Sequence, residues 1–267
     1  MGDGNAMMNC QKCQSQHFAL IVKMTTYQIR RTLVKRYPLY LFLMMMLPGA
    51  GFAQQPAPAP AHAMAAKTPS AEAIWADLME GNKRFVNDKT DTIDLVALRQ
   101  RLSKGQAPKV AVLACSDSRV APEILFDKSL GELFVVRSAG NIAGALGVAS
   151  LEYAVEHLGS TVLVVLGHDK CGAVTAACSG EKMPTPNLQA MVDKISPAVT
   201  RAKAHAKGDE LVHEAILENV DQSARDVLAS SEVLQHFLHD GKLTVFEAVQ
   251  ELGSGKVVLL RTISGHE

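Results

Sequence analysis

Apolar and polar positions are arranged in two distinct ways along this chain. Past the helix-start signal Thr68-Pro69-Ser70, apolar residues recur at helical spacing: Ile74, Leu78 and Phe85 form one stripe, with Trp75 and Met79 beside them. Compact apolar runs follow, from Val110 to Ala114, Leu133 to Val136, Val162 to Leu166 and Val257 to Leu260. They are rich in valine and leucine and nearly continuous, the pattern of strands buried on both faces in a parallel sheet. Helical spacing returns from Ala145 to Leu158, from Leu188 to Ala206 and from Leu211 to Ala229. Val245 to Val249, followed by Gly253-Ser254-Gly255, predicts a closing hairpin with the last run. The predicted fold is α/β: a mainly parallel central β-sheet flanked by helices, with an N-terminal helical extension.

The first part of the chain does not share these patterns. Arg30, Arg31, Lys35 and Arg36 form a basic cluster, an apolar run extends from Tyr37 to Leu47, and Pro48-Gly49-Ala50-Gly51-Phe52-Ala53 follows. Basic segment, short apolar core and small-residue exit are the parts of a secretory signal, so cleavage after Ala53 and an exported, periplasmic product are expected. The apolar run is far shorter than the ~20 residues that span a bilayer, which argues against a stable membrane anchor. No cysteine stands at the exit to carry a lipid. Met24 opens a leader of more usual shape than Met1 does and is an alternative start; Cys10-x-x-Cys13 reads either as a redox or metal pair or, lying upstream of the signal, as a segment that never reaches the mature protein. The expected organisation is a leader over 1–53, a Pro/Ala-rich linker over 54–67 that cannot bury a core, and a folded domain over 68–267.

Charge removes some function classes. The 27 lysines and arginines balance 27 aspartates and glutamates, so there is no electrostatic reason to expect nucleic acid or an acidic membrane as partner.

Ligands of open α/β sheets bind beyond the carboxyl ends of the strands. The first run ends in Cys115-Ser116-Asp117-Ser118-Arg119, and the third in Gly167-His168-Asp169-Lys170-Cys171-Gly172. Zinc takes thiolate sulfur and imidazole nitrogen in a tetrahedron, and three protein ligands leave a corner open, as in catalytic sites. His168 and Cys171 can reach one ion from a single turn, and Cys115 can join them if its strand neighbours the third. Buried free cysteines are the bland alternative. A doubly wound oxidoreductase would need a glycine-rich turn where this chain has Cys-Ser-Asp-Ser-Arg.

Cys-x-Asp-x-Arg followed by His-x-x-Cys resembles the zinc signature of the β-class carbonic anhydrases. Leu78-Met79-Glu80-Gly81-Asn82-Lys83-Arg84-Phe85, Ser116 to Pro122, and Val135-Val136-Arg137-Ser138-Ala139-Gly140-Asn141 are similar to further family stretches, and matching segments run from Ser70 to Thr262. The resemblance implies one Zn2+ per subunit held by Cys115, His168 and Cys171, and reversible hydration of carbon dioxide to bicarbonate and a proton by a zinc-bound hydroxide. It implies Asp117 and Arg119 as catalytic pair, with Asp117 either paired to Arg119 or filling the fourth zinc corner in a closed state. It implies a homodimer or higher homo-oligomer. Hydrolysis of a CO2 analogue such as carbonyl sulfide or carbon disulfide, and a non-catalytic closed zinc site, are the competing functions. The inhibitory bicarbonate pocket of some members is not expected here: Val112 stands in place of its tryptophan and Gln250 in place of its tyrosine, with Arg137 matching its arginine. His157, His205, His213, His236 and His239 are candidate proton carriers or ordinary surface residues. Tyr153 and Phe134 are expected in the core, Asp169 and Lys170 in solvent, and Cys178 on the helix after the metal turn.

Overall fold

The apolar runs become the strands of one sheet in the computed structural model, which describes residues 69–92 and 94–265. β1 (Val110–Cys115), β2 (Leu133–Ser138), β3 (Val162–His168), β4 (Thr244–Gln250) and β5 (Val257–Ile263) stand in the order β2-β1-β3-β4-β5. The first four are parallel, and β5 returns antiparallel to β4 as the expected hairpin. β1 and β3 are central and buried at every position, which is why their sequences do not alternate: each face meets a layer of helices.

Eight helices occupy the described residues: α1 (Ala71–Val86), α2 (Leu95–Leu102), α3 (Pro122–Leu125), α4 (Ala145–Glu156), α5 (Gly172–Ser179), α6 (Pro186–Ala202), α7 (Asp209–Ala229) and α8 (Glu232–His239). On one face of the sheet Leu113, Leu163 and Val165 pack with Leu151 of α4, Ile195 of α6 and Val220 of α7. On the other face Val112, Val164 and Phe246 pack with Ile74 and Leu78 of α1, and Trp75 stacks on Phe246 at 4.8 Å. Each such aliphatic side chain contributes about 1.5–3 kcal/mol on burial.

Helix α1 begins where its cap predicts: the Ser70 hydroxyl accepts from the Ala73 N–H at 3.2 Å. Its Gly81 has no room for a side chain, since a Cβ would lie 1.8 Å from the Phe126 carbonyl oxygen. Next to it, buried Asn82 donates to the Leu125 and Gly255 carbonyls and accepts from the Val257 N–H, tying α1 to α3 and to the β4–β5 hairpin. The stretch Leu78–Phe85 is thus a docking element of the sheet.

The strands outlast their apolar runs. Cys115, Ser138 and His168 are each the last residue of a strand. Helix α4 stops short of Leu158, because Gly159 follows in the left-handed region, and α6 ends at Ala202 rather than Ala206. Helices α2 and α8 have no counterpart in the periodicity: α2 buries no residue, and α8 is only eight residues long, so its stripe of buried Leu234 with partly buried Val233, Phe237 and Leu238 is shorter than the stretch over which helical spacing repeats. Tyr153 is half exposed instead of lying in the core, although its ring stays 6.3 Å from that of the partly buried Phe134. The leader, the linker, Met24, Cys10 and Cys13 lie outside the described residues. Among the described residues no helix is long and apolar enough to cross a membrane.

Candidate metal centre

Strand pairing brings the two chemistry-bearing segments together. β1 and β3 are hydrogen-bonded neighbours with Ala114 opposite Leu166, so their carboxyl ends lie side by side. After His168 the chain turns through Lys170 in the left-handed region and returns Cys171 to the N-cap of α5. The donor atoms of Cys115, His168 and Cys171 all lie within 4.8 Å of one another, and all three residues are buried.

These residues fit a zinc ion. His168 is 0% exposed, and its Nδ1 lies 2.8 Å from the Asp169 carbonyl oxygen, to which the N–H donates. The lone pair then resides on Nε2, which is buried and has no hydrogen-bond partner. An orphaned buried acceptor is costly unless something fills it, and a ring fixed by a carbonyl in this way is typical of metal-binding histidines. The sulfurs are equally prepared. The Gly140 N–H donates to Cys115 Sγ at 3.3 Å, and Cys171 sits at a helix N-terminus, where thiolate charge is favoured. Donation from the Cys171 thiol pushes the Cys115 pKa down, while the same contact and burial push Cys171 up. Burial works to lower the His168 pKa, but hydrogen bonding and charge from Cys115 outweigh it and raise it. Two sulfurs and one imidazole are a soft set suited to zinc with one position to spare.

Asp117 is paired with Arg119. Arg119 Nε and Nη2 donate to Asp117 Oδ1 and Oδ2 at 2.9 and 2.7 Å, a bidentate pair, and the Arg119 backbone N–H adds a third bond at 3.0 Å. The side-chain bonds from Arg119, then the backbone bond, hold the Asp117 carboxyl well below the usual carboxylate range. Its Oδ2 still stands 3.9 Å from His168 Nε2, at the rim of the cluster.

Arg137, matched from sequence to a regulatory pocket, does something else. Its Nε donates to the Cys115 carbonyl at 3.0 Å and its Nη2 to the Asp117 carbonyl at 2.7 Å, clamping the backbone that carries both residues. Val112 is core, and buried Gln250 stands opposite His168 in the β3–β4 register. Asp169 is not simply solvated: half-buried, it accepts the Leu252 N–H at 2.7 Å and fixes the metal turn to the hairpin. Lys170 is exposed and Cys178 half-buried on α5. His213 lines a cavity of about 400 Å3 with Asp169, Lys170 and Thr175, whereas His205 lies 3.3 Å from Glu214 and His236 lies 3.4 Å from Asp240.

Comparison with known proteins agrees with this geometry. A family model described as carbonic anhydrase matches residues 110–257. Carbonic anhydrase 2 of Mycobacterium tuberculosis is 35% identical over 191 residues, covering 70% of this chain and 91% of the relative. The carbonic anhydrase of Mycolicibacterium smegmatis is 34% identical over 191 residues, covering 70% and 92%. Among solved structures, the Coccomyxa β-carbonic anhydrase is 28% identical with a TM-score of 0.57, over 70% of this chain and 87% of that one. The β-carbonic anhydrase CcaA gives 25% identity and a TM-score of 0.57, over 73% and 93%. With the family model and these relatives in agreement, and with a donor cluster that could hold zinc, the chain belongs to the carbonic anhydrase family, in its β class.

Proposed function

We propose that the protein catalyses the reversible hydration of carbon dioxide to bicarbonate and a proton, with zinc held by Cys115, His168 and Cys171 and with Asp117 and Arg119 as the catalytic pair. The observation that carries this is the buried His168 Nε2 with no partner, converging with two sulfurs. When bound, zinc supplies Lewis acidity and lowers the pKa of a water at its open position. The chain's own groups do the rest. The Asp169 carbonyl sets the His168 ring. Arg119 withholds Asp117 from the donor cluster and keeps it ionised. Asp117 then accepts a hydrogen bond from the reacting water and turns its lone pair toward the substrate carbon. Arg137 holds the Cys115–Asp117 backbone against drift during this. Stopped-flow CO2 hydration by the zinc-loaded protein across pH, with metal analysis, tests the assignment: one zinc per chain and measurable hydration are expected, and protein without stoichiometric zinc would refute it.

A homo-oligomer is inferred from the exposed apolar residues Leu146 and Tyr153 on α4 and Val258, Leu259 and Leu260 on the edge strand β5. Light scattering at micromolar concentration is expected to give a multiple of the monomer mass. Export to the periplasm is inferred from residues 30–53 alone; fractionation of cells expressing the full chain, with N-terminal sequencing, is expected to find a product beginning after Ala53.

A further inference from the structure

Asn219 lies in the middle of the 21-residue helix α7, is 0% exposed, and has no helix cap to serve. A polar amide there competes with the helix backbone and costs free energy unless its hydrogen bonds are specific. Its Nδ2 donates to the Gly140 carbonyl at 2.8 Å and lies 3.4 Å from Asn141 Oδ1. Gly140 is the residue whose N–H donates to Cys115 Sγ at 3.3 Å. One peptide unit therefore reaches the metal-site sulfur with its N–H side while the next carbonyl along is gripped by α7.

The segment needs that grip. Gly140 and Asn141 are consecutive residues in the left-handed region, with φ of 73° and 45°. For Asn141, unlike glycine, that conformation is uncommon and must be supported by its surroundings. Gly140 is also wedged: a Cβ on it would lie 2.8 Å from Ile195 Cδ1 and 3.2 Å from the Ala173 Cβ. One helical turn past Asn219, buried Ser223 presents its hydroxyl 3.5 Å from Asn141 Nδ2, the weaker contact of the two.

We propose that Asn219 is a positioning residue of the metal centre: by holding the Gly140 carbonyl it aims the Gly140 N–H at Cys115 Sγ and so sets how firmly that sulfur holds its metal. This rests on Cys115 being a zinc ligand. Hydrogen bonds to coordinating groups commonly set metal affinity by 10–100-fold. An N–H donated to a thiolate draws charge from the sulfur; without it the sulfur is a stronger electron donor but no longer fixed in direction.

The test compares parent, Asn219→Leu, which keeps the bulk and loses the amide, and Ser223→Ala, which alters the same helix face without touching Gly140. Asn219→Ser takes the place of the leucine variant if that one does not fold by circular dichroism. Two readouts are used: the rate at which zinc passes to a chelator, and the energy of the thiolate-to-metal charge-transfer band in the cobalt(II)-exchanged proteins. Expected are about tenfold faster zinc loss and a band at lower energy for the Asn219 variant, with Ser223→Ala close to parent. A folded Asn219 variant with parental zinc loss and parental band overturns the proposal, even if its activity falls. Equal changes in Ser223→Ala overturn it too, since they would reflect helix packing. A parent protein without stoichiometric zinc would overturn the site assignment and this proposal together, which separates the two failures.

Discussion

His168 and Glu247 lie on adjacent strands of one sheet, are 0% and 2% exposed, and each buries an atom without a hydrogen-bond partner. Their surroundings differ. Beside His168 Nε2 two sulfurs converge within 4.8 Å, and the rest of the ring is fixed by a carbonyl. Beside Glu247 the cations are already committed: Arg225 and Arg261 stand 2.7 and 3.3 Å from Asp221 carboxylate oxygens, and Asp221 itself repels a second negative charge. Burial, then Asp221, push the Glu247 carboxyl up to about 7. One orphan thus faces a set of further donors, and the other faces a carboxylate that disfavours its charge. An unsatisfied buried atom marks a site only when other donors point at the same space.

The sharpest way to break this contrast is His168→Ala. Loss of stoichiometric zinc and of CO2 hydration is expected, by metal analysis and stopped-flow assay; retention of both would make His168 an ordinary core histidine. Next in size is Arg119→Ala. Asp117 would lose its bidentate partner and swing to the metal, so zinc should remain while hydration drops on the order of 100-fold or more. Undiminished turnover would remove Asp117 and Arg119 from the mechanism.

Chelation in air addresses the sulfurs. With zinc gone, Cys115 and Cys171 are expected to form a disulfide, two thiols giving up two protons and two electrons to dioxygen, while half-buried Cys178 stays reduced. Thiol titration should fall by two per chain on this account, and an unchanged count would contradict it.

The smallest expected effect on catalysis, and a distinct one on stability, is at Glu247. Its folded pKa lies above the 4.5 of the free group, so the folded state gives up the proton reluctantly. The cost is absent below pH 4.5, grows as pH rises toward about 7, and is complete above that. From the size of the shift it amounts to about 3 kcal/mol. Glu247→Gln should therefore flatten the decline in stability between pH 5 and 8, as read by denaturant titration, and leave zinc content alone. A variant that keeps the parental slope would show that Glu247 finds a partner.

Much of the metal centre was legible without coordinates, for a local reason. His168 and Cys171 share one turn, and both candidate segments follow apolar runs that could only be strands, so the carboxyl-end rule placed them on one rim. The bidentate Arg119–Asp117 contact is also short-range, but its existence was left open, because both Asp117 arrangements are compatible with the same residues. Helix α2 leaves no mark in the periodicity because it buries no residue, and α8 because its stripe of Val233, Leu234, Phe237 and Leu238 is confined to eight residues.

The order of apolar and polar residues by itself determined the sheet and the helices that flank it, since both follow from periodicity, and the motifs at two strand ends named the candidate donors; the pairing of β1 with β3 brings Cys115 beside His168 and Cys171. Only the tertiary structure decided that Asp117 faces Arg119, that Arg137 clamps the Cys115 and Asp117 carbonyls, and that Asn219 grips Gly140 from 79 positions away. Such pairings join segments whose separation in sequence says nothing of their separation in space. They are selected by burial, because a polar group that leaves water must take whatever partner the packed chain delivers.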